Sequence, residues 1–171
     1  TPHIDALAAA GMRFTDAHSG SSVCTPTRYG LLTGRYAWRT RLQRGVLDGG
    51  NDEPLIAADR LTVPGLLSAH GYATVEMLPR LAARAVDYIH AQAADARAGK
   101  PFFLYLPLTS PHAPIVPSAS WQGASGLGDY GDFVMQTDAV VGDVVRAIEA
   151  AGLAENTLVF FTADNGCAPQ A

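Results

Sequence analysis

Lysine is nearly absent from this chain: Lys100 is the only one, and the other basic side chains are all arginine. Arginine suits bidentate contact with anions, although a bias in composition accounts for the excess more simply. Cysteine is scarce too. Cys24 and Cys167 are too few for a disulfide framework and have no metal-ligand spacing, so a single bridge or two free thiols are the options. No apolar run reaches the roughly 20 residues that a membrane-spanning helix needs. There is no excess of positive charge, since the net charge is -4, and a nucleic-acid partner is therefore not expected. No targeting segment is visible: the chain opens on "TPHIDALAAAG", which reads as the start of a helix. Low-complexity tracts are also missing, and 171 residues at 48% hydrophobic suit one globular domain with a core of its own.

The elements alternate. Thr1 and Pro2 resemble an N-cap and a first helical residue, with Ile4, Leu7 and Ala8 on one face and Gly11 as the stop. "MRFTDAH" (12–18) predicts a short strand or extended segment. A Ser- and Gly-rich loop then delivers Cys24, and Pro26 opens a helix that runs to Gly34. Residues 36–59 read as surface loop, 62–70 as a capped short helix ended by Gly71, and "YATV" as the start of a strand. That strand runs straight into an amphipathic helix with Leu81, Ala85, Tyr88 and Ile89 on its apolar side. A strand-to-helix junction without Gly, Asn, Asp or Ser is unusual, so residues are expected to be missing near Val75 and Glu76. "PFFLYLPL" (101–108) and Thr157 to Thr162 predict strands buried on both faces. Between them lies a long helix with Phe133, Val140, Val141, Val144, Val145 and Ile148 inward. The pattern predicts an α/β fold with a mostly parallel central sheet flanked by helices.

Three points carry chemistry. In open α/β sheets ligands gather beyond the carboxyl ends of the strands, and the two apolar strands here lead into "TSPHAP", with His112, and "ADNG", with Asp164 and Asn165. Asp164 and Asn165 place a carboxylate beside an amide oxygen, suited to a hard cation; a plain Asx-turn uses the same residues. His112, between prolines, is either an anion ligand and proton donor or a structurally bonded surface histidine. Cys24 stands at a helix N-terminus, where unpaired N–H groups favour an anion. A thiolate phosphatase would need an arginine six residues after the cysteine, and that position is Gly30. Arg28, one turn after Cys24, shares its side of the helix. A guanidinium there can pin an oxygen beside position 24, or be an ordinary surface charge.

Together these residues resemble the sulfatase family. "CTPTRYGLLTGR" matches the signature Cys-x-Pro-x-Arg-x-x-x-Leu-Thr-Gly-Arg at all seven defined positions, and "TPHIDALAAAGMRFTDAH", "KPFFLYLPLTSPHAP" and "TLVFFTADNG" are similar to other family segments. The resemblance implies an alkaline phosphatase-like fold and a sulfuric ester hydrolase. It implies that Cys24 is oxidised to formylglycine by a dedicated maturation enzyme, and that the aldehyde hydrate attacks sulfur and then collapses to release sulfate. Arg28 would hold the diol, and His112 would contact the sulfate or protonate the leaving oxygen. Asp164, Asn165 and the Cys24-derived diol would be ligands of Ca2+, with Mg2+ as the other option. The substrate would be a sulfated small molecule or carbohydrate, and the compartment periplasmic, secreted or lysosome-like. Three family features are not in the chain: a first-strand aspartate pair, a Lys-x-His segment and a lysine beyond "DNG". Residues 1–171 are accordingly expected to be a partial catalytic domain, lacking segments before residue 1, near 75–76 and after 171, and inactive if taken alone. The rival readings are a phosphonate or phosphate monoester hydrolase of the same superfamily, an inactive anion-binding module, and an α/β domain with a Cys24–Cys167 bridge.

Overall fold

A computed structural model describes residues 1–48, 52–76 and 81–167. They fall into two compact units, one of residues 1–14, 75–161 and Cys167, the other of residues 15–74 and 162–166. The described elements follow the order α1 (Pro2–Ala10), α2 (Cys24–Thr33), α3 (Val63–Ala69), β1 (Ala73–Glu76), α4 (Leu81–Arg97), β2 (Phe102–Tyr105) and α5 (Asp129–Ala150), with short 3-10 turns at Ala37–Arg39 and Ala154–Asn156. β1 and β2 pair in a small parallel sheet, joined through α4, so the described chain has α/β architecture.

In the first unit, α4 and α5 pack through small and branched residues. Ile89 and Ala93 meet Ala147, Ile148, Ala151 and Leu153, and Phe102, Leu104, Val144 and Val159 pack around them. Ala85, fully buried, sits among Tyr88, Leu104, Leu106, Leu108 and Val144. Tyr88 meets Phe102 edge to face at 5.7 Å, and burial raises its phenol pKa above the ordinary value. On α1, Ile4, Leu7 and Ala8 are half-buried, the face that their spacing predicts. On α5, Val141 and Ile148 are buried, while Phe133, Val140, Val144 and Val145 are partly so.

The periodicity of α5 gives no hint of its two buried carboxylates. Asp138, 3% exposed, accepts from the backbone N–H of Ile4 at 2.8 Å and of His3 at 3.1 Å. An acid on one helix thus caps the start of another, for which Thr1 supplies no side-chain cap. The helices come so close that a Cβ at Gly142 would lie 2.6 Å from the His3 ring. Asp132, 1% exposed, accepts from the N–H of Gly123 at 2.6 Å and of Ser125 at 2.7 Å. Hydrogen bonds from the Ser125 side chain and N–H hold its carboxyl below the ordinary carboxylate range, with Gly123 adding and burial opposing. A folded pKa below the unfolded one stabilises above about pH 4 and is lost as pH falls through the folded value. Protection of the Gly123 and Ser125 amides, relative to their intrinsic exchange at each pH, is therefore expected to be high at pH 6 and to fall below pH ~4. Equal protection in Asp132→Ala at pH 6 would rule this out.

Two predicted strands do not form ladders. Residues 157–162 have no strand pairing, and Leu158 and Phe160 are 80% and 78% exposed while Val159 packs on the core. Side chains 157–160 alternate as a pleat requires, but no ladder forms, because a strand needs a neighbour on its edge and none of the described residues supplies it. The segment 12–18 is likewise unpaired, with Met12 78% and Phe14 67% exposed. β2 is shorter than the apolar run that encodes it, and its four residues are only partly buried.

In the second unit, α2 starts at Cys24, two residues before Pro26, and ends where Gly34 takes the left-handed conformation at φ 66°, its N–H bonded to Gly30. α3 begins at its Thr62 cap, whose hydroxyl accepts from Gly65 N–H at 3.2 Å. Tyr29 and Ala37 are this unit's buried apolar residues.

Candidate active site

The second unit holds the signature helix and the acidic turn. Cys24 occupies the first helical position of α2, partly buried, and is a free thiol, as is Cys167; the bridged alternative is not realised. Val23 precedes it in an extended conformation and offers no side-chain cap, so the N-terminal N–H groups of the helix keep their capacity for an anion. The first turn is fastened by threonines rather than capped. Thr27 Oγ1 donates to the Ser21 carbonyl at 3.0 Å, and Leu47 N–H donates to Thr25 Oγ1 at 3.2 Å.

Arg28 lies one turn on, and its Nε donates to Asp164 Oδ2 at 2.6 Å with both side chains partly exposed. The arginine read as an oxygen holder and the aspartate read as a metal ligand therefore form an ion pair. Asn165 turns its Nδ2 to the Gly166 carbonyl at 2.8 Å, and its amide oxygen has no partner among the described residues. Donor chemistry here agrees with a hard cation in kind, with one carboxylate and one amide oxygen. It falls short in number, since calcium takes about six to eight oxygens and no three His, Cys, Asp or Glu groups converge among the described residues. The described residues alone do not complete a metal site.

His112 belongs to the first unit, in the loop after β2. It is exposed, its N–H donates to Thr109, and its Nδ1 lies 2.6 Å from the Ala113 carbonyl. A carbonyl only accepts, so Nδ1 carries the proton and Nε2 is the nitrogen presented outward. Thr137 of α5 was not among the sequence candidates. Its hydroxyl lies 2.7 Å from that of Ser110, which ties the His112 loop to the long helix. A buried threonine in an apolar stripe was the available signal.

Two cavities adjoin α2. One, of about 230 Å³, is lined by Thr25, Arg28, Tyr29 and Leu32 with Leu55 and Ile56, and offers an apolar wall beside one guanidinium. The other, of about 110 Å³, runs from Val23 and Pro26 to Trp38 and Arg44. Both draw on residues of the 36–59 stretch, which the sequence reads as surface loop. Gly123 and Ser125, by contrast, fold onto Asp132 in the first unit.

A family model described as sulfatase matches residues 1–80 and 78–170. Arylsulfatase A of Bos taurus is 32% identical over 239 aligned positions, which cover 97% of this chain and 47% of that protein. N-acetylgalactosamine-6-O-sulfatase of Bacteroides thetaiotaomicron is 25% identical over 277 positions, covering 97% of this chain and 54% of the relative. A solved structure from work on glycosaminoglycan metabolism by Bacteroides thetaiotaomicron superposes with a TM-score of 0.74 at 22% identity, over 92% of this chain and 55% of that one. The chain belongs to the sulfatase family. It spans about half the length of the curated relatives it matches. Among the described residues, no helix is long and apolar enough to cross a membrane.

Proposed function

We propose that this chain is part of the catalytic domain of a sulfuric ester hydrolase that acts through a formylglycine made from Cys24. The observation that carries it is the signature helix of a sulfatase-family chain, with Cys24 at its uncapped first position and Arg28 one turn on, bonded to Asp164. A maturation enzyme oxidises Cys24 to the aldehyde. One hydroxyl of its hydrate attacks sulfur and expels the alcohol; the second loses its proton, the carbon–oxygen bond to sulfate breaks, and the aldehyde is restored. Arg28, oriented by Asp164, holds an oxygen at position 24. His112, its Nδ1–H bonded to Ala113, contacts the sulfate through Nε2 or, as the imidazolium, hands its Nε2 proton to the leaving oxygen. Asp164 and Asn165 would contribute two ligands to a calcium or magnesium ion, whose charge would offset negative charge developing on the transferring group.

Substrates would be sulfated small molecules or carbohydrates, in a periplasmic, secreted or lysosome-like compartment. Alignments of 239 and 277 positions on a chain of 171 residues support the reading that relatives carry segments this chain lacks. So do two family-model matches that meet at residues 78–80. Mass spectrometry of the peptide spanning Cys24, from a host with maturation activity, is expected to show a loss of about 18 Da. An unmodified thiol would count against the proposal. In the natural-length protein, aryl sulfate is expected to turn over faster than the matching aryl phosphonate, and a strong phosphonate preference would move the reaction to that ester class.

A further inference from the structure

Residues 35–44 hold Arg35, Arg39, Arg41 and Arg44, a local excess of positive charge in a chain of net charge -4. Two aromatic rings stand in the same stretch. Tyr36 and Trp38 stack with centroids 5.7 Å apart and planes 17° from parallel, yet they are 56% and 58% exposed. The Arg39 guanidinium carbon lies 5.7 Å from the Trp38 ring centroid. Arg41 is tied to the Glu53 carbonyl, whereas Arg35, Arg39 and Arg44 form no ion pair among the described residues. Two large exposed rings rimmed by uncommitted guanidinium groups are more than the local fold requires.

The left-handed Gly34 turns the chain back at the end of α2, and this places the stretch beside the other end of the helix. Trp38, Leu42 and Arg44 share the 110 Å³ cavity with Val23 and Pro26, which flank Cys24 in the sequence. Leu47 N–H on Thr25 Oγ1 and Gln43 Nε2 on the Trp38 carbonyl at 2.8 Å hold the returning loop in place. Trp38 is thus built against the turn that carries Cys24.

We propose that Tyr36, Trp38, Arg39 and Arg44 form a carbohydrate subsite that takes a sugar neighbouring the one whose sulfate ester is cleaved, in a multiply sulfated oligosaccharide. A pyranose has an apolar C–H face that stacks on an aromatic ring. A sulfate ester stays a monoanion at any physiological pH, and a planar guanidinium can bind two of its oxygens. Stacked rings beside paired cations match that ligand in both respects. A nucleic-acid base would also stack, but a chain of net charge -4 whose local excess of positive charge is one short stretch disfavours a polyphosphate track. The role of the neighbouring position rests on the sulfatase reading of Cys24; binding to the rings and arginines does not.

The test is titration calorimetry of the full chain with chondroitin 6-sulfate tetrasaccharide and with its desulfated counterpart. Wild type is expected to bind the sulfated form, more weakly as salt rises. Trp38→Ala and Arg44→Ala are each expected to weaken binding about fivefold to tenfold, and Trp38→Phe to retain most of it. Circular dichroism of each variant shows whether the fold is kept, and Trp38→Phe tests the ring without removing it. Equal affinity for both tetrasaccharides, unchanged affinity in both alanine variants, or displacement by a single-stranded oligonucleotide at matched charge would overturn the subsite. Absence of aryl sulfate turnover by the natural-length protein, together with variant-sensitive tetrasaccharide binding, would defeat the hydrolase reading while supporting the subsite.

Discussion

A serine at position 24 is expected to convert a turning-over enzyme into one that stops after a single event. In the natural-length protein, Cys24→Ser would present one hydroxyl where the matured residue presents two. That hydroxyl can attack sulfur and expel the alcohol, taking the sulfuryl group as a stable ester. It has no second hydroxyl whose deprotonation breaks the carbon–oxygen bond, so the sulfate stays. The expected readout is a burst of no more than one equivalent of phenol from an aryl sulfate and a protein heavier by about 80 Da. Steady-state turnover should fall on the order of 10^3-fold or more, the scale seen when a nucleophile is removed. Cys24→Ala should show neither burst nor adduct. Sustained turnover by either variant would show that Cys24 is not the nucleophile's precursor.

The largest expected loss of stability comes from a residue of the other unit. Asp138→Ala removes the acceptor of the His3 and Ile4 N–H groups and leaves two part-buried donors without a partner. A lost cap and a stranded donor each cost about 1–2 kcal/mol, and they overlap here, so a destabilisation of about 2 kcal/mol is expected. For a domain of this size that lowers Tm by roughly 4–8 °C. Asp138→Asn keeps an oxygen acceptor and should lose about half as much. The signature helix lies in the other unit, so the mass of the Cys24 peptide should not change. An alanine variant that melts like wild type would show that α1 is held by its apolar face alone.

The helices were legible because their signals are local. Gly34 closes α2, Thr62 starts α3, and the spacing of Ala85 and Ile89 buries one face of α4. The signature was legible for the same reason, being contiguous in the chain. The strand at 157–162 was misread because an apolar run says nothing about whether a partner strand adjoins it, while 12–18, read as a short strand or extended segment, has no strand pairing. Asp132 and Asp138 were missed because spacing assigns acids to the solvent face, whereas their N–H partners lie 7 to 9 and 134 to 135 residues away. The ion pair of Arg28 with Asp164 was invisible on similar grounds, at a separation of 136 residues. Residues 36–59 were read as loop, and the described ones among them carry only the 3-10 turn at Ala37–Arg39; that the stretch doubles back to line a cavity with Val23 and Pro26 follows from Gly34 and from Leu47 bonding Thr25.

The Asp138 cap also places α1 in time. Its donors are made at residues 3 and 4 and its acceptor 134 residues later. At about 5–20 residues per second, α1 waits roughly 7–27 s on the ribosome before its cap has been translated. A nine-residue helix with no fully buried side chain has little to hold it during that interval. A helix made 134 residues before its cap is therefore among the last elements to become fixed.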